Sequence, residues 1–127
     1  MGKAFNLGFT LLELMIATAI LVIAICALLV AFINCVIMNE SNNNLVTAVN
    51  DAQYVLEQIK SQPYANISNF ISSFNPSQFN NLDSETITFT GTSVTWSLAT
   101  ITVNVSWTQR QKSRSYQLST LIARTTQ

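Results

Sequence analysis

The chain has no histidine, and its two cysteines, Cys26 and Cys35, both lie in one apolar stretch near the front. Without imidazoles or clustered thiolates there is no ligand set for a zinc-type metal site. Three glycines in the whole chain leave no glycine-rich phosphate loop, and no pair of carboxylates stands beside a nucleophile in a hydrolytic motif. The reading is therefore not an enzyme, with no cofactor and no metal. The cysteines also exclude a staple. Nine residues apart on one helix, they are separated by about 13.5 Å, whereas a disulfide needs Cα atoms within about 7 Å. The rest of the chain has no cysteine and must fold without one.

Helix breakers are scarce as well. From Phe9 to Gln62 there is neither proline nor glycine. Charge is equally sparse, six acids against six bases over 127 residues, for a net of zero. What fills the front instead is hydrocarbon. From Leu14 to Ile33 only Thr18 is polar, and about twenty residues at ~1.5 Å each match a bilayer's hydrocarbon core. A secretory signal fits poorly: its apolar core runs to about 7–15 residues and ends in a small-residue cleavage site. Here the run is longer, and "NCVIMNESNNN" follows it. The small residue, Gly8, comes before the run, so a cut there leaves the helix on the mature protein. Lys3 and the terminal amine are the only positive groups ahead of Lys60. The positive-inside tendency then keeps residues 1–8 cytoplasmic and sends the remainder outward.

Beyond the membrane segment, Leu45, Val49, Ala52, Val55, Leu56 and Ile59 recur at spacings of three and four. They form one stripe, with Asn50, Asp51, Gln53, Glu57 and Lys60 expected mostly elsewhere. A single helix from about Phe9 to Ser61, roughly 80 Å long, is the expectation. Its weak point is "NESNNN" at Asn39–Asn44, whose residues favour caps and turns. Pro63 ends it. Residues 64–84 read as a loop with one short helical turn around Ser68–Phe74, pinned to the core by Phe70, Phe74, Phe79 and Leu82.

Period-two alternation follows in "ETITFTG", "SVTWSL", "ITVNVSW" and "SYQLSTLIA", the last two joined by a polar turn "TQRQKSR" into an antiparallel hairpin. So small a sheet needs a cover, which the stripe Leu45–Ile59 supplies. Residues 1–85 hold all six acids and two lysines, for a charge of −4. Residues 86–127 hold Arg110, Lys112, Arg114 and Arg124 with no acid, for +4. A solvated turn explains the basic group Arg110–Arg114 most simply. Contact with acidic neighbours or with a polyanion such as DNA is the functional reading. DNA is the weaker partner, because no aromatic residue lies in the turn to stack on bases.

Glu13 remains unexplained by composition. A carboxylate at the centre of a membrane helix costs about 2.5–3.5 kcal/mol and less near its end, and such a residue usually marks function. Cleavage after Gly8 creates a cation for it, the new α-amino group of Phe9. Within one helix Phe9 and Glu13 are an i, i+4 pair; between packed copies the carboxylate meets a neighbour's amine.

These residues carry a resemblance. "GFTLLELMIATAIL" resembles the prepilin-type cleavage and methylation segment of type IV pilins and type II secretion pseudopilins: a short leader with Lys3, the Gly8–Phe9 junction, Glu13 in register, then a long apolar helix. The resemblance implies that a prepilin peptidase in the inner membrane cuts after Gly8 and N-methylates Phe9. It also implies that the helices of several pilins or pseudopilins bundle in an extracytoplasmic filament, with Glu13 as the pairing group. The implied fold is α+β and pilin-like. Its parts are a cytoplasmic leader (1–8), a transmembrane and filament-core helix (9–33), an amphipathic continuation (34–62) and a small exported β domain (63–127). "ITVNVSWTQRQKSRSYQLSTLIA" looks like the closing hairpin of small minor subunits. The absence of a carboxy-terminal disulfide loop, of a membrane-helix proline or glycine, and of a calcium-type acidic run departs from the major subunits. The function implied is that of a minor pilin or pseudopilin that initiates, caps or modifies a type IV pilus, a competence filament or a type II secretion pseudopilus. The alternative is a filament-borne binding module that contacts DNA or a surface ligand through Arg110–Arg114.

Overall fold

The computed structural model describes residues 10–124. Helix α1 runs from Leu11 to Lys60. Its start is fixed by Thr10, whose Oγ1 accepts the Glu13 N–H at 3.3 Å and whose carbonyl accepts the Leu14 N–H at 3.2 Å. Helical structure continues through Asn39–Asn44, the stretch whose composition argued for a break. Asparagine's cap preference is worth only tenths of a kcal/mol per residue, too little to interrupt a helix with long good formers on both sides. At the far end Gln62 donates to the Ile59 carbonyl at 3.1 Å, tightening the last turn before Pro63.

The described residues form two compact units that divide between Asn39 and Glu40. In the first, the α1 residues from Leu11 to Asn39 are exposed apart from the partly covered Ile37. Leu, Ile, Val, Phe and Met project on all sides of this segment, which is long and apolar enough to cross a membrane. Cys26 and Cys35 are free and exposed on it, nine residues apart and so on opposite sides.

The second unit is α+β. Strands β1 (Thr86–Phe89), β2 (Ser93–Val94), β3 (Leu98–Gln109) and β4 (Lys112–Ala123) form one antiparallel sheet. Strand β3 is central, with β1 and β2 along one side and β4 along the other. Alternation sends Ala99, Ile101, Val103, Val105 and Trp107 of β3 inward. They share a core with Ala48, Ala52, Val55, Leu56 and Ile59 of α1. Fully burying a Val or Ile side chain stabilises by about 1.5–3 kcal/mol, so this helix-on-sheet layer holds the unit together. The opposite face is hydroxyl-rich, with Thr102 and Ser119 bonded across strands at 2.9 Å. The arrangement, a long N-terminal helix packed through its second half on a small antiparallel sheet, is the pilin-like α+β architecture expected from the sequence.

Four details differ from the sequence reading. Leu45 is 43% exposed, and Ala48 takes its place on the buried stripe. Asp51, expected to face away, is only 9% exposed. "SVTWSL" is not one strand: β2 stops at Val94, and a turn closed by Thr95 N–H to the Leu98 carbonyl at 2.9 Å leads into β3. Trp96 sits on that turn and is 83% exposed, not half-buried on a strand. Finally, the turn read as Thr108–Arg114 is only Arg110–Gln111, with φ of 51° and 63°. Its flanking polar residues are strand, because ladder hydrogen bonds and two-residue turn geometry override a polar composition.

Between α1 and β1, the short helix α2 (Ile67–Ser73) confirms the helical turn expected near Ser68–Phe74. Phe79 and Leu82 are buried, while Phe70 and Phe74 pack against the core. Phe74 meets Phe79 and Phe89 at ring-centroid distances of 6.0 and 5.2 Å. The phenylalanines pin the loop, as their apolar character suggested.

Candidate functional site

Gly8 and Phe9, the expected cleavage and methylation residues, lie outside the described residues. Glu13 is exposed in the first turn of α1. The Thr10 hydroxyl bond to its N–H completes the front half of a Thr-x-x-Glu capping box, a signal present in "TLLE" that the sequence reading passed over. An acid here also faces the positive end of the helix dipole. The Glu13 backbone thus takes part in the helix start, while its exposed carboxylate offers a charge at the front of an apolar surface.

The basic residues at the hairpin do not act alike. Arg110 Nε and Nη2 both donate to Glu40 Oε2, at 3.1 and 2.7 Å. Lys112 and Arg114 are exposed on β4, opposite Gln109 and Trp107 of β3. Among the described residues neither has an acid within salt-bridge distance. The structure therefore separates one engaged guanidinium from two free cations.

A polar cluster that the sequence reading missed joins α1 to the segment before β1. The Asn81 side-chain amide donates to both carboxylate oxygens of Asp51 at 3.2 Å. Glu85 Oε2 accepts the N–H groups of Asn81 and Leu82 at 2.9 and 3.1 Å. Burial pushes the Glu85 carboxyl above its ordinary range, and the adjacent Asp51 carboxylate raises it further, against the lowering effect of the two backbone donors. No sequence signal marked this pair, since Asp51 and Glu85 are thirty-four positions apart and only the fold brings them together. Among the described residues no group of three or more His, Cys, Asp or Glu side chains is placed to hold a metal ion.

The features with interaction chemistry are thus the apolar front of α1 with Glu13 and the exposed cations Lys112 and Arg114. No family model, curated protein or solved structure matches this chain.

Proposed function

We propose that the protein is a minor pilin or pseudopilin, a structural subunit that initiates, caps or modifies a type IV pilus or type II secretion pseudopilus. The observation that carries this reading is one continuous element, α1, doing two jobs. Its first half is apolar on every side, with a single carboxylate in the first turn. Its second half is the core helix of a small α+β unit. An anchor alone needs no carboxylate, and a soluble domain needs no bare apolar half-helix. A subunit held in a membrane until its helix enters a bundle of others needs both. In that bundle Glu13 pairs with the amine of a neighbour's Phe9. A buried charge left alone is costly, so a subunit docked out of step is penalised and the pair sets register.

The test is the mature amino terminus. In cells that contain a prepilin peptidase, mass spectrometry finds a chain beginning at N-methyl-Phe9, and Gly8→Val leaves the precursor uncut in the membrane. A mature chain that keeps Met1 in such cells overturns the reading.

A further inference from the structure

The two sides of the sheet are finished differently. On one side β3 is flanked by four residues of β1 and two of β2, edges too short to template another strand. On the other side β4 is twelve residues long and pairs only with β3. Natural edge strands of that length are guarded by charge, proline or a bulge. From Ser115 to Ala123 this one has no charge, no proline and no glycine.

The register shows which backbone groups are left over. Thr102 accepts from Thr90, and Thr108 donates to Asp83, so even-numbered residues of β3 turn toward the β1 side. Odd-numbered ones therefore turn toward β4, where they pair with even-numbered partners such as Val103 with Leu118. Arg124 N–H bonding the Ser97 carbonyl at 2.9 Å continues that pattern. The N–H and C=O groups of Ser115, Gln117, Ser119, Leu121 and Ala123 consequently point away from the sheet. Side-chain space lies beside them. A groove of about 370 Å³ runs between Leu118–Thr120 and the α1 residues Gln53, Leu56, Glu57 and Lys60. A second depression, of about 430 Å³, is lined by Thr100 and Ser119–Leu121. The two share Ser119 and Thr120, so the edge is flanked by open space where the side chains of an added strand would fall.

Charge identifies the occupant. Lys112 and Arg114 stand before the uncharged stretch and Arg124 stands after it; among the described residues none is salt-bridged. Pairing β4 with a second copy of itself in the registers centred on Ser119 or Leu118 is disfavoured. Antiparallel pairing centred on Ser119 sets Arg114 opposite Arg124, and centring on Leu118 sets Lys112 opposite Arg124. Like charges directly opposite destabilise a strand pair. We infer that the free edge of β4 binds an extended segment of another protein by strand addition, a segment with an uncharged middle and acidic residues at both ends. This inference stands apart from the filament reading, since it uses only the sheet edge and its charges.

The test uses the full chain in detergent micelles and a synthetic peptide with Asp-Glu at its start, an alternating Thr-Val middle and Glu-Asp at its end. At a peptide concentration about ten times the dissociation constant, amide exchange at Gln117, Ser119 and Leu121 slows about tenfold. The Tyr116 and Leu118 amides, already bonded to β3, start slow. Gln117→Pro removes one outward N–H without touching the β3 ladder and weakens binding about tenfold or more. Lys112→Glu with Arg114→Glu and Arg124→Glu leaves the backbone intact and reverses the preference toward a Lys-ended peptide. The inference is overturned if the acid-ended peptide leaves the outward amides unchanged, or if the Lys-ended peptide binds wild type equally well. It is also overturned if those amides are already protected in a dimer of the free protein.

Discussion

Arg110, at the tip of the β3–β4 hairpin, grips Glu40 of α1 through two nitrogens on one carboxylate oxygen, the nearer at 2.7 Å. The contact crosses seventy positions of sequence and ties the hairpin to the helix at the point where the core unit begins. Its position matters more than its energy, because the two side chains are 48% and 42% exposed. Exposed pairs contribute about 0.2–1 kcal/mol and weaken in salt. A double-mutant cycle of Arg110→Ala and Glu40→Ala, read by thermal unfolding in micelles, should give a coupling in that range that falls between low and high salt. A coupling near zero at low salt removes the tie.

The same turn stores strain. Arg110 and Gln111 both have positive φ, a geometry that two-residue hairpins normally assign to Asn-Gly. The left-handed conformation costs a side-chain-bearing residue about 1–2 kcal/mol. Gln111→Gly should therefore raise stability by about 1 kcal/mol while leaving the Arg110 contact in place. A loss of stability shows that the Gln111 side chain makes a compensating interaction.

Glu85 makes the unit pH-sensitive in a stated direction. Its carboxyl is raised in the folded protein, first by burial and then by Asp51. The folded state thus favours the protonated form. The stabilisation is complete below the ordinary glutamate value, about 4.3, and is lost as pH rises through the raised folded value. Glu85→Gln keeps a carbonyl oxygen for the Asn81 and Leu82 N–H groups and carries no charge at any pH. Its melting temperature should exceed wild type at pH 7 by a few degrees at most, because solvent screens a part-exposed group, and should lose that advantage near pH 4. A variant less stable than wild type at pH 7 contradicts this account.

A capping role and a docking role for the Glu13 side chain are separated by choosing the substitution. Glutamine serves in a capping box but carries no charge, whereas alanine does neither. Under the proposed function, Glu13→Gln and Glu13→Ala both insert in the membrane and both fail to crosslink to other subunits. If Glu13→Gln assembles like wild type while Glu13→Ala does not, the residue works as a cap and not as a docking charge.

The core layer predicts the largest losses. Ile101 and Ile59 are both fully buried, one on each side of the helix–sheet contact. Replacing either with alanine should cost about 2–5 kcal/mol, measured by thermal unfolding, against under ~0.5 kcal/mol for Gln53→Ala on the exposed face. Equal effects at the three positions would mean that the contact does not hold the unit.

Much of this molecule was set locally and could be read from the chain. The uninterrupted helix needs only the lack of proline and glycine between Phe9 and Gln62. The inward face of β3 needs only the alternation of Ile101, Val103, Val105 and Trp107, and the loop's attachment follows from its phenylalanines. Each of these depends on neighbours within a few residues, where periodicity and propensity act. What the chain could not show depended on partners far apart in sequence. Asp51 looked like a surface residue because nothing near it reveals that Asn81 and Glu85 arrive beside it. Trp96 looked like strand because its alternation fits one, but the hydrogen bonds of Thr95 and Leu98 turn the chain there instead. Arg110 was indistinguishable from Lys112 and Arg114 until the hairpin register placed it within reach of Glu40. Sequence pattern determined which faces are apolar. Only the tertiary structure decided which charges are satisfied and which edge of the sheet is left open, because charge pairing and strand pairing are settled by distance in space.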